Sequence, residues 1–171
     1  MESTAVKLNS TLQPAVSQYL TFTLGSEEYG VDILRVQEIR GWQTVTRVPN
    51  TPKFLLGVLN LRGTIVPIID MRMRFSLDKV EYTSITVIVV LSVISDHGTH
   101  VFGVVVDSVS DVLDVKKDDV RPTPEMGCTV NTEFINGLAT VGDQLVTLLD
   151  IDKLLTHMDL TAVVAVQGAA A

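Results

Sequence analysis

The sequence predicts an all-β protein made of two similar units, each of about five strands. Three observations carry that prediction. The apolar residues, 46 % of the chain, are mostly Val, Leu and Ile, while aromatics supply only 5 %; β-branched side chains suit a pleated, half-buried surface. Apolar stretches such as Tyr19–Leu24 and Ile85–Ile94 have the length and bounding turns of strands. The chain also repeats itself: shifted by eighty residues, Phe54–Phe75 falls on Phe134–Leu155 without a gap.

Taken in order, Tyr19–Leu24 alternates polar and apolar residues at the period of a half-buried strand. Glu28–Asp32 follows as a second strand after a Gly25–Ser26 turn. Ile33–Glu38 reads as a short helical turn leading into a strand at Val36–Arg40. Leu55–Leu61 and Thr64–Ile69 form a hairpin about Arg62–Gly63. Pro67 lies inside the second of these, which predicts an edge strand or a bulge because proline cannot donate to a ladder. Ser76–Tyr82 is a charged connector. Ile85–Ile94 and His100–Asp107 are two further strands turned by Asp96-His97-Gly98. Arg121–Glu125, with Pro122 and Pro124, is an extended loop. Asp150–His157 is the best helix, with Asp150 placed to cap it. Residues 1–17 and the Ala-rich 158–171 read as flexible tails around a domain at 18–157.

Within the repeat, Gly57 meets Gly137, Val66 meets Val146 and Asp70 meets Asp150. Upstream, at a slightly different offset, Tyr29-Gly30-Val31 meets Phe102-Gly103-Val104, and Val36 and Ile39 meet Val109 and Val112. Two such units are expected to pack with pseudo-two-fold symmetry, as small barrels that bury their own edges and exchange strands.

Composition narrows the function. A net charge of −7 argues against a general nucleic-acid binder. The charge is uneven: Ile33–Phe75 holds seven basic and two acidic residues, Asp78–Asp159 five basic and fourteen acidic. Such a division suits two ends that meet different partners, and equally an incidental distribution. One cysteine, Cys128, allows no internal disulfide and fits a reducing compartment. The residues 1–17 lack the apolar core of a secretory signal. The stretch Ile85–Ile94 is about half the length of a membrane span, so the expected location is the cytoplasm.

No set of catalytic residues emerges. The glycines have no phosphate-cradling spacing, there is no nucleophile elbow, and Cys128 has no activating neighbours in sequence. His97 and His100 flank a hairpin turn and could hold a metal, but no fourth ligand accompanies them. Asp107, Asp111 and Asp114 read as surface acids. The balance favours a binding protein with no cofactor and no metal, the alternative being a metal- or small-ligand-binding barrel that uses the two histidines.

Four stretches resemble the motifs of the CheW-like chemotaxis adaptors, in family order. They are Glu27–Ile39, Gly57–Arg72, Val105–Leu113, and Ile135–Leu138 with Leu148–Asp150. The same module occurs in that system's histidine kinase and, fused to a receiver, in a variant coupling protein. This chain has room for neither addition, which favours the stand-alone adaptor. The resemblance implies two SH3-like five-stranded barrels. It also implies two partners, the regulatory domain of the kinase and the cytoplasmic tip of the chemoreceptors, and recruitment to receptor arrays. The positions that match the family's receptor-binding residues are Val36, Glu38, Arg62, Gly103, Val109 and Val112. Those that match kinase contacts are Leu56, Glu125 and Met126. Read from the residues alone, the valines fit a barrel core as well as an interface, and Arg62 fits an internal ion pair as well as a partner contact.

Overall fold

The structure is a computed structural model that describes residues 16–75, 77, 81–96, 98–122 and 132–156. The first strands are β1 (Val16–Leu24) and β2 (Glu27–Asp32). A 3-10 turn (Ile33–Arg35) leads to β3 (Val36–Gly41), followed by β4 (Leu55–Leu61), β5 (Thr64–Asp70) and a one-turn helix α1 (Met71–Arg74). The second half contains β6 (Val87–Ser95), β7 (Gly98–Val106), β8 (Ser108–Lys116), β9 (Val120–Arg121), β10 (Ile135–Val141), β11 (Gln144–Leu149) and helix α2 (Ile151–Thr156). β1 begins at Val16, two residues inside the stretch expected as a tail. Of the expected α2, His157 lies outside the described residues. Ile85, expected in a strand, precedes β6 and is 67 % exposed.

Two sheets form, ordered β8-β1-β2-β11-β10-β9 and β3-β6-β7-β5-β4. Each curls until it closes. In the first, β8 continues through a 3-10 turn at Lys117–Asp119 into β9, which pairs with Leu138 and Ala139 of β10. In the second, the chain beyond β3 reaches β4, where Thr46 and Val58 exchange backbone hydrogen bonds of 3.0 and 2.8 Å. Closure removes the exposed edges that would invite aggregation.

The sequence repeat maps onto this pattern. β1 to β5 with α1 correspond to β6 to β11 with α2, β8 and β9 together matching β3, so one barrel joins β1 and β2 to β8–β11 and the other joins β6 and β7 to β3–β5. Equivalent details recur. Asp70 N donates to Phe54 O and Asp150 N to Phe134 O, both at 2.8 Å. The parallel pairs Ile68↔Gly103 and Leu148↔Gly30 also correspond. Both first hairpin strands carry a bulge, between Leu55 and Gly57 and between Ile135 and Gly137. At those two glycines a closing strand passes so near that a Cβ on Gly57 would collide with the Thr46 carbonyl, and one on Gly137 with Val120 and Arg121.

Pro67 is not on an edge strand, because β5 lies between β4 and β7, and the bulge belongs to β4. The physical reason is the pairing phase. Val58, opposite Pro67, turns its own N–H and C=O to Thr46, so β4 asks no donor of Pro67. The parallel ladder with β7 begins one residue later, at Ile68.

Three apolar clusters hold the molecule. Each barrel has its own core: Leu59, Val66, Ile68, Ile88, Val90 and Val105 in one, and Val115, Ala139, Val146 and Leu148 in the other. A larger third core is shared by both. It contains Leu20, Phe22 and Tyr29 from one barrel, Val89, Leu91 and Phe102 from the other, and Leu154 and Leu155 of α2. Along β6, Ile88 and Val90 point into the barrel, while Val89, Leu91 and Val93 point to the shared core. Burial on both faces is why this strand reads as a continuous apolar run.

Two ion-pair clamps flank the shared core. Arg35, where the chain crosses from the first barrel to the second, contacts both carboxylate oxygens of Asp152 in α2, at 3.2 and 2.7 Å. Asp107, where it crosses back, accepts from Arg72 of α1 through Nε at 2.6 Å and again through an Nη. Asp107 also accepts from Gly25 N at 2.8 Å, and Asp152 from Ile94 N at 2.8 Å. Asp107 is therefore a half-buried structural group rather than the surface acid expected from sequence. Burial alone pushes its carboxyl up, but the hydrogen bonds from Arg72 and Gly25 and the Arg72 charge outweigh that and hold it below the usual carboxylate range.

Two outcomes are expected. Gly57→Ala should lose about 2–4 kcal/mol in urea unfolding, whereas Gly63→Ala, with open space around its Cβ, should lose about 1 kcal/mol from its positive φ alone. Asp107→Asn should lose about 2–3 kcal/mol at pH 7. Because the folded carboxyl titrates below its unfolded value of about 3.9, the clamp's contribution is present above that pH. It should disappear as pH falls through the depressed value, so wild type and variant should converge in acid.

Candidate partner-binding surfaces

The expected receptor-facing residues separate by burial. On β3, a register shift between Val36 and Glu38 puts Val36 opposite Leu91 and Ile39 opposite Val89. Leu91 and Val89 both face the shared core, so Val36 and Ile39 lie on the same side although three residues apart. On β8 a matching shift puts Val109 opposite Phe22 and Val112 opposite Leu20, again both shared-core residues. Thr21 stitches that bulge, its Oγ1 donating to Asp111 O at 2.9 Å and accepting from Asp111 N at 3.0 Å. Val36 and Val109 pack against the shared core, while Ile39 and Val112 stand 47 % and 41 % exposed. The strip thus runs from core to solvent on two repeat-related strands. Sequence reasoning paired Ile39 with Val112 through the repeat yet did not select it as a site residue; two exposed apolar residues at equivalent positions are the signal that finds it.

Glu38 and Arg62 are brought together. Arg62 Nη2 donates to Glu38 Oε2 at 2.7 Å, and Arg40 Nη1 donates to Oε1 at 3.1 Å. The internal pair that the sequence left open is present, with the Arg62 side chain still 83 % exposed. Arg62 occupies the first turn position of the β4–β5 hairpin with φ 54°, followed by Gly63 at 88°. Such a turn favours glycine or asparagine, and the repeat-equivalent residue is Gly142, with φ 61°. A long cationic side chain is therefore held at a position where the backbone prefers none. Gly103 is not on this surface. It is buried in β7, where a Cβ would come within 2.5 Å of Ile68 Cδ1. Its equivalent Gly30 makes similar room beside Leu148, so the glycine serves barrel packing.

Of the expected kinase contacts, Leu56 is half-buried and packs on the second barrel's core. Glu125 and Met126 lie outside the described residues, as do Cys128 and His97. Among the described residues, no group of three or more His, Cys, Asp and Glu could hold a metal ion, and no helix is long and apolar enough to cross a membrane.

The CheW-like domain family model matches residues 18–159. The chain belongs to the CheW-like family. The chemotaxis protein CheW of Klebsiella aerogenes is 50 % identical over 146 residues, covering 85 % of this chain and 86 % of that one. The chemotaxis protein CheW of Helicobacter pylori is 34 % identical over 140 residues, 82 % of each chain. Among solved structures, the scaffolding protein TtCheW of Thermoanaerobacter tengcongensis superposes with a TM-score of 0.74 at 29 % identity, over 84 % of this chain and 90 % of that one. The two curled sheets are thus the SH3-like barrels of the CheW-like fold, and the chain is a scaffold-type chemotaxis protein.

Arg62→Gly should leave the melting temperature unchanged or slightly raised. An ion pair this exposed contributes about 0–1 kcal/mol, which relief of the left-handed backbone offsets. A large loss in calorimetric unfolding would instead make Arg62 a structural residue.

Proposed function

We propose that this CheW-like chain couples chemoreceptors to the chemotaxis histidine kinase by binding both, with no covalent step, as a cytoplasmic protein recruited to receptor arrays. The observation that carries the reading is that Val36 and Ile39 on β3, and Val109 and Val112 on β8, lead from the shared core to solvent, while the Glu38–Arg62 pair stands on the other face of β3, where Glu38 lies opposite Val90. A receptor helix laid against such a strip would cover its apolar residues, with charged groups setting register at the rim. Arg62 suits the rim because its planar guanidinium can meet a carboxylate or backbone carbonyls while remaining paired to Glu38. Leu56, Glu125 and Met126 are the residues assigned to the kinase. Several relatives named for chemotaxis support the setting.

Calorimetric titration of the chain with the kinase's regulatory domain, and separately with a receptor-tip fragment, tests the reading. Saturable binding to both is expected, and binding to neither folded partner overturns it. Ile39→Asp and Val112→Asp should each weaken receptor-tip binding at least tenfold and leave kinase binding unchanged. Arg62→Ala should weaken receptor-tip binding by about 1–3 kcal/mol.

A further inference from the structure

Toward the far end of β4 from Arg62, the loop between Thr46 and Leu55 borders an open pocket of about 400 Å³. Two cations, Arg47 and Lys53, line it together with Asn50, Pro52, Leu55 and Leu56, and among the described residues no carboxylate does. Both cations are exposed, and neither forms a salt bridge among the described residues. The loop is internally braced: Thr51 Oγ1 donates to Val48 O at 3.0 Å, Leu55 N donates to Pro52 O at 3.0 Å, and Asn50 turns the chain with φ 61°. Two prolines, Pro49 and Pro52, limit its freedom further. In a chain of net charge −7, two exposed cations with no ion-pair partner among the described residues, beside a braced open pocket, mark a place that favours negative charge. Leu55 and Leu56 add an apolar floor, which free inorganic anions would not use.

We infer that this pocket takes an acidic side chain, flanked by an apolar residue, from the regulatory domain of the kinase. The inference rests on the coupling reading, in which Leu56 is kinase-facing, and adds Arg47 and Lys53 to that surface with a stated partner chemistry. The receptor-facing Arg62 lies past the other end of β4, six residues along the chain from Leu56, about 20 Å of strand, so the two surfaces can be disabled independently.

The test is calorimetric titration of the full chain and of an Arg47→Ala, Lys53→Ala double variant with the kinase's regulatory domain, at low and high salt. A receptor-tip titration is run alongside. The variant should melt like wild type, bind the kinase domain at least tenfold more weakly, lose most of the salt dependence of that binding, and bind the receptor tip normally. The charge-conserving pair Arg47→Lys, Lys53→Arg should restore most of the affinity. Unchanged kinase binding by the alanine variant overturns the inference while leaving the coupling reading intact. Loss of receptor-tip binding instead assigns the pocket to the other partner and also overturns it. If the unaltered chain fails to bind the kinase domain, the coupling reading falls and the inference with it.

Discussion

The shared core between the barrels is the constraint on which the rest depends. A five-stranded barrel this small encloses only a few side chains: Val115, Ala139, Val146 and Leu148 in one, and six residues in the other. The larger cluster lies outside both barrels, where Phe22, Tyr29 and Phe75 form a run of rings at 6.0 and 5.6 Å between centroids. Tyr29 is 1 % exposed and its hydroxyl is satisfied by Glu27 Oε2 at 2.6 Å. Neither barrel could leave this surface in water without exposing much of the apolar area that drives folding, so the barrels are halves of one cooperative unit. The reciprocal exchange of strands enforces the same coupling through the chain itself.

Charge locks what the core brings together, and it does so asymmetrically. One clamp has its arginine in the crossover and its aspartate in the terminal helix, and the other reverses them. Duplication would first have produced like residues at related positions; opposite signs across each contact are what make both clamps attractive. A similar departure occurs at Arg74, whose guanidinium lies 5.8 Å from the Phe54 ring and 5.1 Å from its repeat-equivalent, Phe134. Its counterpart Leu154 is fully buried. Burial pushes the Arg74 pKa down while the Glu133 charge opposes that shift, and contact with two ring faces offers the cation partial compensation.

The surface features follow from these positions. Bulges on β3 and β8 place residues three apart on one face, so a strip begun in the shared core continues to solvent. Arg62 keeps a left-handed backbone where the second repeat has glycine. Leu56 and the loop beyond it lie at the other end of the same strand. The separation between candidate receptor and kinase surfaces is therefore the length of β4, fixed by its hairpin with β5.

By itself, the sequence determined the β class, seven of the eleven described strands directly and β10 and β11 through the repeat, the hairpin at Arg62–Gly63, the cap at Asp150 and the duplication, because period, turn chemistry and repeats are local or directly comparable properties of the chain. It also supplied the family motifs, from which Val36, Val109, Val112, Glu38 and Arg62 came as candidates. Only the tertiary structure decided that Asp107 is a clamp, that Gly103 is interior packing, that Pro67 sits in a central strand and that Ile39 joins the exposed strip. Each of those depends on which strand lies alongside, on the phase of its hydrogen bonds and on where a bulge reverses the faces. Such facts arise from contacts between residues as many as 118 positions apart, as in Gly30 and Leu148, and no local pattern encodes them.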